Sequence, residues 1–424
     1  MKAKILLTAS ILLLVFIQPA TGQSAKPDYP GQPEPGKLFW GSSIQANGDP
    51  VARHENPSGE TLALRRTFWR WDQRTGNMIN TALGDIANGR LPWVSVKPPV
   101  DGNNRWQRIA DGEFDSQLDQ MLLALDNVGG PVWLTMHHEP ENEHHRNPGE
   151  FGQAPEHVAM NRKVRHRMTE LGTANIALAP VFMAWTFQAP SGRNPDDWWD
   201  DDIYDFLGID IYRDNENGSL LTTGSAIGGG PVWPFIRKWA EEREVDVAVG
   251  EWGMRGTNET AGQRVLDWYE AAVSSHDDNG GARVVGLSAF DSGLNSPSGS
   301  WELKGAQLEM FQQLLGDPRT ASINQSPVGI KHEQQRPGEV TLHQNYPNPF
   351  NPTTVISFHL PAGSDIRVEV FDVLGHTIAT LAEGYRSAGF HTLKFNATHL
   401  PSGIYMYRIQ DGNFFQTKQM MLIK

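Results

Sequence analysis

The 424-residue chain contains no cysteine. Disulfides and thiolate chemistry are therefore excluded, and stability has to come from an ordinary hydrophobic core, which a chain of this length can supply. Basic residues are in deficit. Lys and Arg number 36 against 49 Asp and Glu, a formal net charge of −13 with no basic cluster, which argues against a nucleic-acid partner. After the first 22 residues no apolar run approaches the roughly 20 residues of a membrane span. There is no Gly-x-Ser-x-Gly elbow, and Trp40-Gly41-Ser42-Ser43 stands where a doubly wound sheet would carry its Gly-rich phosphate loop. Tryptophan is missing from the tail: all 14 lie between Trp40 and Trp301.

What is present divides the chain. Lys2 and Lys4, the apolar run Ile5 to Ile17 and the small residues Ala20-Thr21-Gly22 form a signal peptide over residues 1–22. Pro and Gly make a linker of residues 23–36, and a polar stretch with Pro318, Pro327 and Pro337 makes a second at 318–340. Between them, residues 37–317 alternate strand-like runs with helical patterns. The strands are Leu38–Ile44, Leu62–Arg70, Trp93–Lys97, Val132–Met136, Ile176–Ala184, Phe206–Tyr212, Val245–Gly250 and Val284–Phe290. Helical spacing follows most of them, at Met78–Ala87, Phe114–Val128, Glu156–Leu171, Pro234–Glu244, Ala261–Ser274 and Gly305–Leu315. This predicts an α/β fold, a (β/α)8 TIM barrel with its chemistry at the carboxyl ends of the strands. Residues 46–61, where the first helix belongs, read as loop. Residues 341–424 show short alternating strands between turn clusters and predict a small antiparallel β-sandwich.

Two strands end abruptly in a glutamate: Val132-Trp133-Leu134-Thr135-Met136-His137-His138-Glu139 and Val247-Ala248-Val249-Gly250-Glu251. A charge at the mouth of a buried strand is costly unless it has a task. Carboxyl groups after the fourth and seventh strands face each other across a barrel mouth. That suits glycosidic bond cleavage, with Glu139 as acid/base and Glu251 as nucleophile. A zinc helix would need histidine at Asn142, and Pro140 disfavours a helix starting at Glu139, so neither a metal nor another cofactor is expected. His138 is expected to bind substrate, and Tyr212, ending the sixth strand, to hydrogen-bond Glu251. Around the second strand, Arg66, Trp69, Arg70 and Trp71 crowd together; an arginine there lowers the pKa of the nucleophile or pairs with Asp72 on the surface, and Arg70 is a candidate substrate-binding residue. Trp40, Trp69, Trp71, Trp185 and Trp252 lie near strand ends and are candidate stacking platforms for sugar rings. The rival class is a non-catalytic surface glycan-binding protein using the same groove.

Glutamates after the fourth and seventh strands resemble the clan of retaining (β/α)8 glycoside hydrolases. His137-His138-Glu139, Asp210-Ile211-Tyr212 and Gly250-Glu251-Trp252-Gly253 are most similar to glycoside hydrolase family 26. The resemblance implies an endo-acting, retaining enzyme on β-mannan, or on β-1,3-xylan or mixed-linkage glucan. There is a departure: family mannanases usually carry aromatic residues soon after the acid/base, where this chain has Glu141-Asn142-Glu143-His144-His145. The tail, with Tyr346-Pro347-Asn348-Pro349-Phe350-Asn351-Pro352, Val370-Phe371-Asp372-Val373-Leu374-Gly375, Gly403-Ile404-Tyr405 and a closing Lys424, resembles the C-terminal sorting domain of the type IX secretion system of Bacteroidota-like bacteria. That resemblance implies passage through the periplasm, the secretion machinery as a partner, and release or attachment at the cell surface.

Overall fold

The computed structural model describes residues 28–99, 101–147, 149–215, 217–293, 300–323, 340–342, 345, 350–372, 376–387, 389–412 and 414–423. The signal-peptide reading, most of the second linker, Tyr346-Pro347-Asn348-Pro349, Val373-Leu374-Gly375 and Lys424 lie outside these residues.

The first unit is built on nine parallel strand segments: β1 (Phe39–Ile44), β2 (Leu64–Arg70), β3 (Leu91–Lys97), β4 (Val132–Met136), β5 (Ile176–Leu178), β6 (Val181–Met183), β7 (Phe206–Arg213), β8 (Asp246–Met254) and β9 (Val284–Asp291). Their order is β5-β4-β3-β2-β1-β9-β8-β7-β6. The two ends of this order are one stretch of chain interrupted at Ala179-Pro180. Ala179 still bonds Leu134 on β4, whereas Gly208 of β7 donates to the Pro180 carbonyl. Proline has no N–H to give a ladder, so the fifth strand changes partner there and the curled sheet closes as an eight-stranded barrel. Each of the eight predicted strands is present.

Nine helices accompany the strands among the described residues: α1 (Asn56–Ser58), α2 (Asn77–Ala87), α3 (Arg105–Ala110), α4 (Asp115–Asp126), α5 (Pro140–Arg146), α6 (Ala154–Leu171), α7 (Val232–Glu241), α8 (Glu259–Ser274) and α9 (Ala306–Leu315). The connection after β1 carries a π-helical segment, Val51–Glu55, that runs straight into α1, so residues 51–58 of the stretch expected to be loop are helical.

The barrel interior is filled by side chains, not left as a pore. Trp133 packs on Phe206 at 4.5 Å and edge-on to Phe39 and Trp93 at 5.7 and 5.3 Å. Small residues opposite make the room. A Cβ on Gly208 would lie 2.5 Å from the Pro180 carbonyl and 3.2 Å from the Trp93 ring.

Residues 28–36, read from sequence as linker, belong to the barrel. Tyr29 stacks on Phe206 at 5.4 Å and donates its hydroxyl to Asp246, Gln32 donates to the same carboxylate, and Trp133 donates to the Pro30 carbonyl. This segment closes the floor of the barrel because Trp133 and Phe206 would otherwise be open to water. At the other boundary the chain runs past residue 317: Leu38 and Ala321 exchange backbone hydrogen bonds with Arg319 and Leu38.

The second unit has a three-stranded sheet, β10 (Thr341–Leu342), β11 (Thr353–Leu360) and β14 (Gly389–Asn396), in the order β10-β11-β14. The other sheet holds β12 (Ser364–Phe371), β13 (Thr377–Arg386), β15 (Gly403–Asp411) and β16 (Phe414–Leu422), ordered β13-β12-β15-β16, with every pairing antiparallel. Alternate residues Ile366, Val368 and Val370 meet Ile356, Phe358, Tyr407 and Ile409 in a core of their own, as period-two patterning requires.

Candidate active site

The carboxyl end of β4 departs from regular strand geometry. His137 and Glu139 both have positive φ, +62° and +49°, unusual for residues with a Cβ. Alternating turns carry the chain across a gap: the His137 N–H reaches Val96 of β3, and the Glu139 N–H reaches Val181 of β6 at 2.7 Å. Glu139 then caps α5, whose first residue is Pro140. The expectation that Pro140 disfavours a helix here is corrected, because proline at the first helical position gives up an N–H that has no partner anyway. The Asn142 amide donates to Glu139 Oε2 at 3.1 Å. Burial pushes the Glu139 carboxyl above its usual range, against Asn142, Arg146 and Arg66, which pull it down.

Glu251 is reached by a different irregularity. In the pairing of β7 with β8, Ile209 faces Val249 but Asp210 faces Glu251, so Gly250 is one extra residue. Such a bulge re-aims the side chain that follows it. Glycine is required there: a Cβ would sit 2.8 Å from Asp210 Oδ1, 3.1 Å from Arg66 Cζ and 3.2 Å from Val181 Cγ1. Glu251 is 7% exposed and accepts the Tyr212 hydroxyl. Burial raises its carboxyl and so does the charge of Glu139, while Arg66 and the Tyr212 hydrogen bond oppose them. The two glutamates thus share one electrostatic site.

Period two decides which neighbours face that site. In β2, Arg65 turns outward to Asp85 on α2 at 2.9 Å, and Arg66 turns in. The Arg66 guanidinium lies over Trp93 at 4.5 Å and Phe68 at 5.0 Å, fully buried, and its nitrogens have no hydrogen-bond partner. It is the cation among the carboxyls. Asp210, inward on β7, is also buried with both oxygens unpartnered; burial, then the charge of Glu251, pushes it well above the carboxylate range. His138 packs on Phe68 at 5.1 Å, and burial followed by Arg66 and Lys97 lowers it to about 3, so it is neutral in use. His137 turns away from His138 into the core, where its Nδ1 accepts from Trp106 Nε1 at 2.9 Å.

Several expected residues stand elsewhere. Arg70, expected to bind substrate, is exposed, and Arg66, four residues earlier on the inward face, is the arginine whose charge acts on Glu251. Trp40 and Trp252 are fully buried and stacked at 5.5 Å, with the Trp40 indole donating to Phe311 of α9. Both point outward between sheet and helices, because inward Glu251 fixes its neighbour Trp252 on the opposite face. Trp69 is buried with its indole on Thr67, and Trp71 packs against Phe114 and donates to Gln117 of α4. These four are core residues, not platforms. Trp185, in the turn after β6, is 40% exposed. Sequence reasoning missed Trp301, which lies 4.8 Å from Tyr212 and carries Arg255 over its face at 3.7 Å. A lone tryptophan after Ser298-Gly299-Ser300 was the available signal. It also missed Glu141, 1% exposed, whose Oε1 accepts from the Met183 N–H at 2.6 Å and the Thr186 hydroxyl at 2.8 Å; burial raises it to about 7.

Comparison with known proteins gives one family match. The model for the secretion system C-terminal sorting domain fits residues 344–424. The tail therefore directs the chain through type IX secretion to the cell surface or extracellular space. Among the described residues, no helix is long and apolar enough to cross a membrane. No curated protein matches the chain. Solved structures it is similar to include a Cellulomonas fimi endo-β-1,4-mannanase double mutant (15% identity, TM-score 0.45, 91% of this chain and 94% of that one). Others are a GH26 β-mannanase from Bacteroides ovatus (14%, 0.46, 71% and 95%) and the GH26 domain of a Prevotella bryantii endo-β-mannanase/endo-β-glucanase (11%, 0.43, 68% and 91%).

Proposed function

We propose that the barrel is a secreted, retaining endo-β-glycanase with Glu139 as acid/base and Glu251 as nucleophile. The observation that carries this reading is that Glu139, half-buried after the fourth barrel strand, acts through its charge on buried Glu251 of the seventh, both at the carboxyl ends of their strands. Burial raises both, and the charge of Glu139 raises Glu251 further, so near neutrality the pair favours holding one proton between two sites. That is the resting state a double displacement needs. Glu251, with Arg66 and the Tyr212 hydroxyl favouring its anion, attacks the anomeric carbon; Glu139 gives its proton to the departing oxygen, then takes one from water as the glycosyl ester is hydrolysed. Neutral His138, Trp301 and half-exposed Trp185 bind sugar hydroxyls and ring faces. β-Mannan is the first substrate to try, because His137-His138-Glu139 and Gly250-Glu251-Trp252-Gly253 resemble family 26; β-1,3-xylan and mixed-linkage glucan follow.

The test uses the purified protein on these polysaccharides. Glu251→Ala should abolish release of reducing ends, and azide added to it should restore cleavage of an activated aryl glycoside. Glu139→Ala should lose far more on polysaccharide than on the aryl glycoside, whose leaving group needs no proton. Equal losses on both substrates would remove Glu139 as the acid. Polysaccharide binding without any release of reducing ends by the unmodified chain would make it a glycan-binding protein instead.

A further inference from the structure

The chain leaves β4 at Met136, carries Glu139 and α5, and comes back to α3 at Phe151 before α6 begins. Both ends of this excursion are fastened to one buried residue, Trp106 of α3. At the start, the Trp106 indole Nε1 donates to His137 Nδ1 at 2.9 Å. At the finish, the Trp106 backbone N–H donates to the Phe151 carbonyl at 3.0 Å, and the N–H groups of Asn104 and Arg105 bond Gly149 and Glu150 in step with it. The indole cannot swing aside, because the rings of His157 at 5.1 Å, Phe151 at 5.8 Å and Trp198 at 6.0 Å enclose it.

Two observations give the side-chain bond a task beyond packing. His137 has φ +62°, a conformation that is strained for a residue with a Cβ and persists only where its surroundings over-determine it. The His137 N–H on Val96 supplies one constraint and the indole the other. His137 also leaves a buried atom unsatisfied. An indole can only donate, so Nδ1 is the acceptor. Burial, then the charge of Lys97, keeps the imidazole neutral, and its proton sits on Nε2, which is buried with no hydrogen-bond partner among the described residues. A buried donor without a partner is destabilising, and a hydrocarbon side chain in this core would avoid it. What the histidine supplies and a hydrocarbon cannot is the acceptor for Trp106. Two residues on, Glu139 has the second positive φ, +49°, and its carboxyl accepts from the Asn142 amide. The aim of that carboxyl depends on how firmly the turn before it is set.

We propose that Trp106 and His137 are positioning residues for the acid/base: the indole–imidazole hydrogen bond fixes the turn that aims Glu139, and so governs proton transfer to the leaving group without touching the substrate. The inference rests on the glycanase reading of Glu139. It gives the two residues no part in the attack by Glu251, which stands on another strand and takes its aim from the bulge at Gly250.

The test separates the proton-dependent step from the rest of the reaction. The full chain and its variants are assayed for kcat/KM on the polysaccharide cleaved fastest and on a dinitrophenyl β-glycoside of the sugar released from it, whose leaving group departs without a proton. Trp106→Phe keeps an aromatic ring in the enclosure and deletes the donor. It should lower kcat/KM on the polysaccharide roughly tenfold, part of the hundredfold that a misplacement of about 1 Å brings, and leave the aryl glycoside within about twofold. His137→Asn keeps an acceptor oxygen at the δ position, where Nδ1 stood, on a residue type that tolerates positive φ. The ratio of the two values should therefore stay near that of the unmodified chain, although the ring packing on Phe151 is lost. Should Trp106→Phe not fold, His137→Leu, which removes the acceptor instead, is held to the same expectation. A merely structural role predicts that both substrates lose together, in step with any fall in Tm. Equal losses on the two substrates, an unchanged ratio without the donor or acceptor, or an equal fall of the ratio in His137→Asn overturns the assignment. Failure of the glycanase reading shows separately, as absence of reducing ends from the unmodified chain, and the assignment falls with it.

Discussion

Gly250→Ala adds one methyl group at the bulge of β8 that aims Glu251. The new carbon would lie 2.8 Å from Asp210 Oδ1, 3.1 Å from Arg66 Cζ and 3.2 Å from Val181 Cγ1, against an ordinary contact of about 3.5–4.0 Å. None of the three can retreat easily. Arg66 is clamped between the rings of Phe68 and Trp93, Asp210 is buried, and Val181 is tied into β6 through its pairing with Gly208. The backbone of β8 must therefore move, by several tenths of an ångström. Overpacking of this kind costs about 1–3 kcal/mol, which in a domain of this size lowers Tm by roughly 2–4 °C for each kcal/mol. The displaced segment carries Glu251, so turnover should fall by more than stability does, toward the hundredfold loss that a misplacement of about 1 Å brings. Differential scanning calorimetry and reducing-end release on the polysaccharide cleaved fastest by the unmodified chain measure the two effects. A variant with unchanged Tm and kcat within twofold of the parent would refute the argument that the bulge needs glycine.

Three further perturbations have definite signs. Tyr212→Phe removes the hydroxyl that lowers the Glu251 carboxyl, so the acidic limb of the pH–rate profile should move to higher pH; an unmoved limb would detach Tyr212 from the nucleophile. Asp291, at the end of β9, would be raised by burial, but His54 at 3.1 Å and the Arg53 fork at 2.8 and 3.0 Å bring it below the usual carboxylate range. A depressed carboxylate stabilises the fold above its unfolded pKa of about 3.9 and stops doing so as pH falls through the folded value. Asp291→Asn should therefore cost most near neutrality, on the order of 3–5 kcal/mol for a broken buried pair, and progressively less below pH 4 in denaturant titrations. Tyr29→Ala opens the barrel floor over Phe206 and should cost about 3–5 kcal/mol by the same measurement; no change would return residues 28–36 to the status of a linker.

The eight strands were legible because a barrel strand buried on both faces reads as a short apolar run whatever its neighbours do, and the helices between them carry the 3.6-residue period. The glutamates were legible for the same reason in reverse, since each ends such a run. What failed was direction. Trp40, Trp69 and Trp252 are near strand ends, but a strand end has two faces, and only one looks into the barrel mouth. Applying period two from Glu251 sends Trp252 to the helices; applying it to Gly208-Ile209-Asp210-Ile211-Tyr212 puts Asp210 on the same inward face as Tyr212. The same count separates Arg65 from Arg66. Arg70 was misjudged because it keeps the inward parity yet lies beyond the point where the strand is covered. Trp301 was marked only by its isolation after Ser298-Gly299-Ser300, and its place beside Tyr212 depends on where that loop returns.

The two glutamates arrive by opposite devices, and that difference bears on their roles. Glu139 has positive φ itself, follows positive-φ His137 by two residues and opens a helix, so its position is set by backbone bonds to two different strands, His137 to Val96 on one side and Glu139 to Val181 on the other. Glu251 stays within a strand, displaced by one bulged residue, and its carboxylate is fixed by a hydroxyl from the adjoining strand. A nucleophile must form a covalent bond at a set distance and gains from the rigidity of a central strand. An acid/base has to serve two successive steps with two different oxygens, leaving group and water, and a side chain held by one amide at a helix start has the freedom to do so. Exchanging the two assignments would put the bond-forming carboxylate on the less constrained of the two backbones.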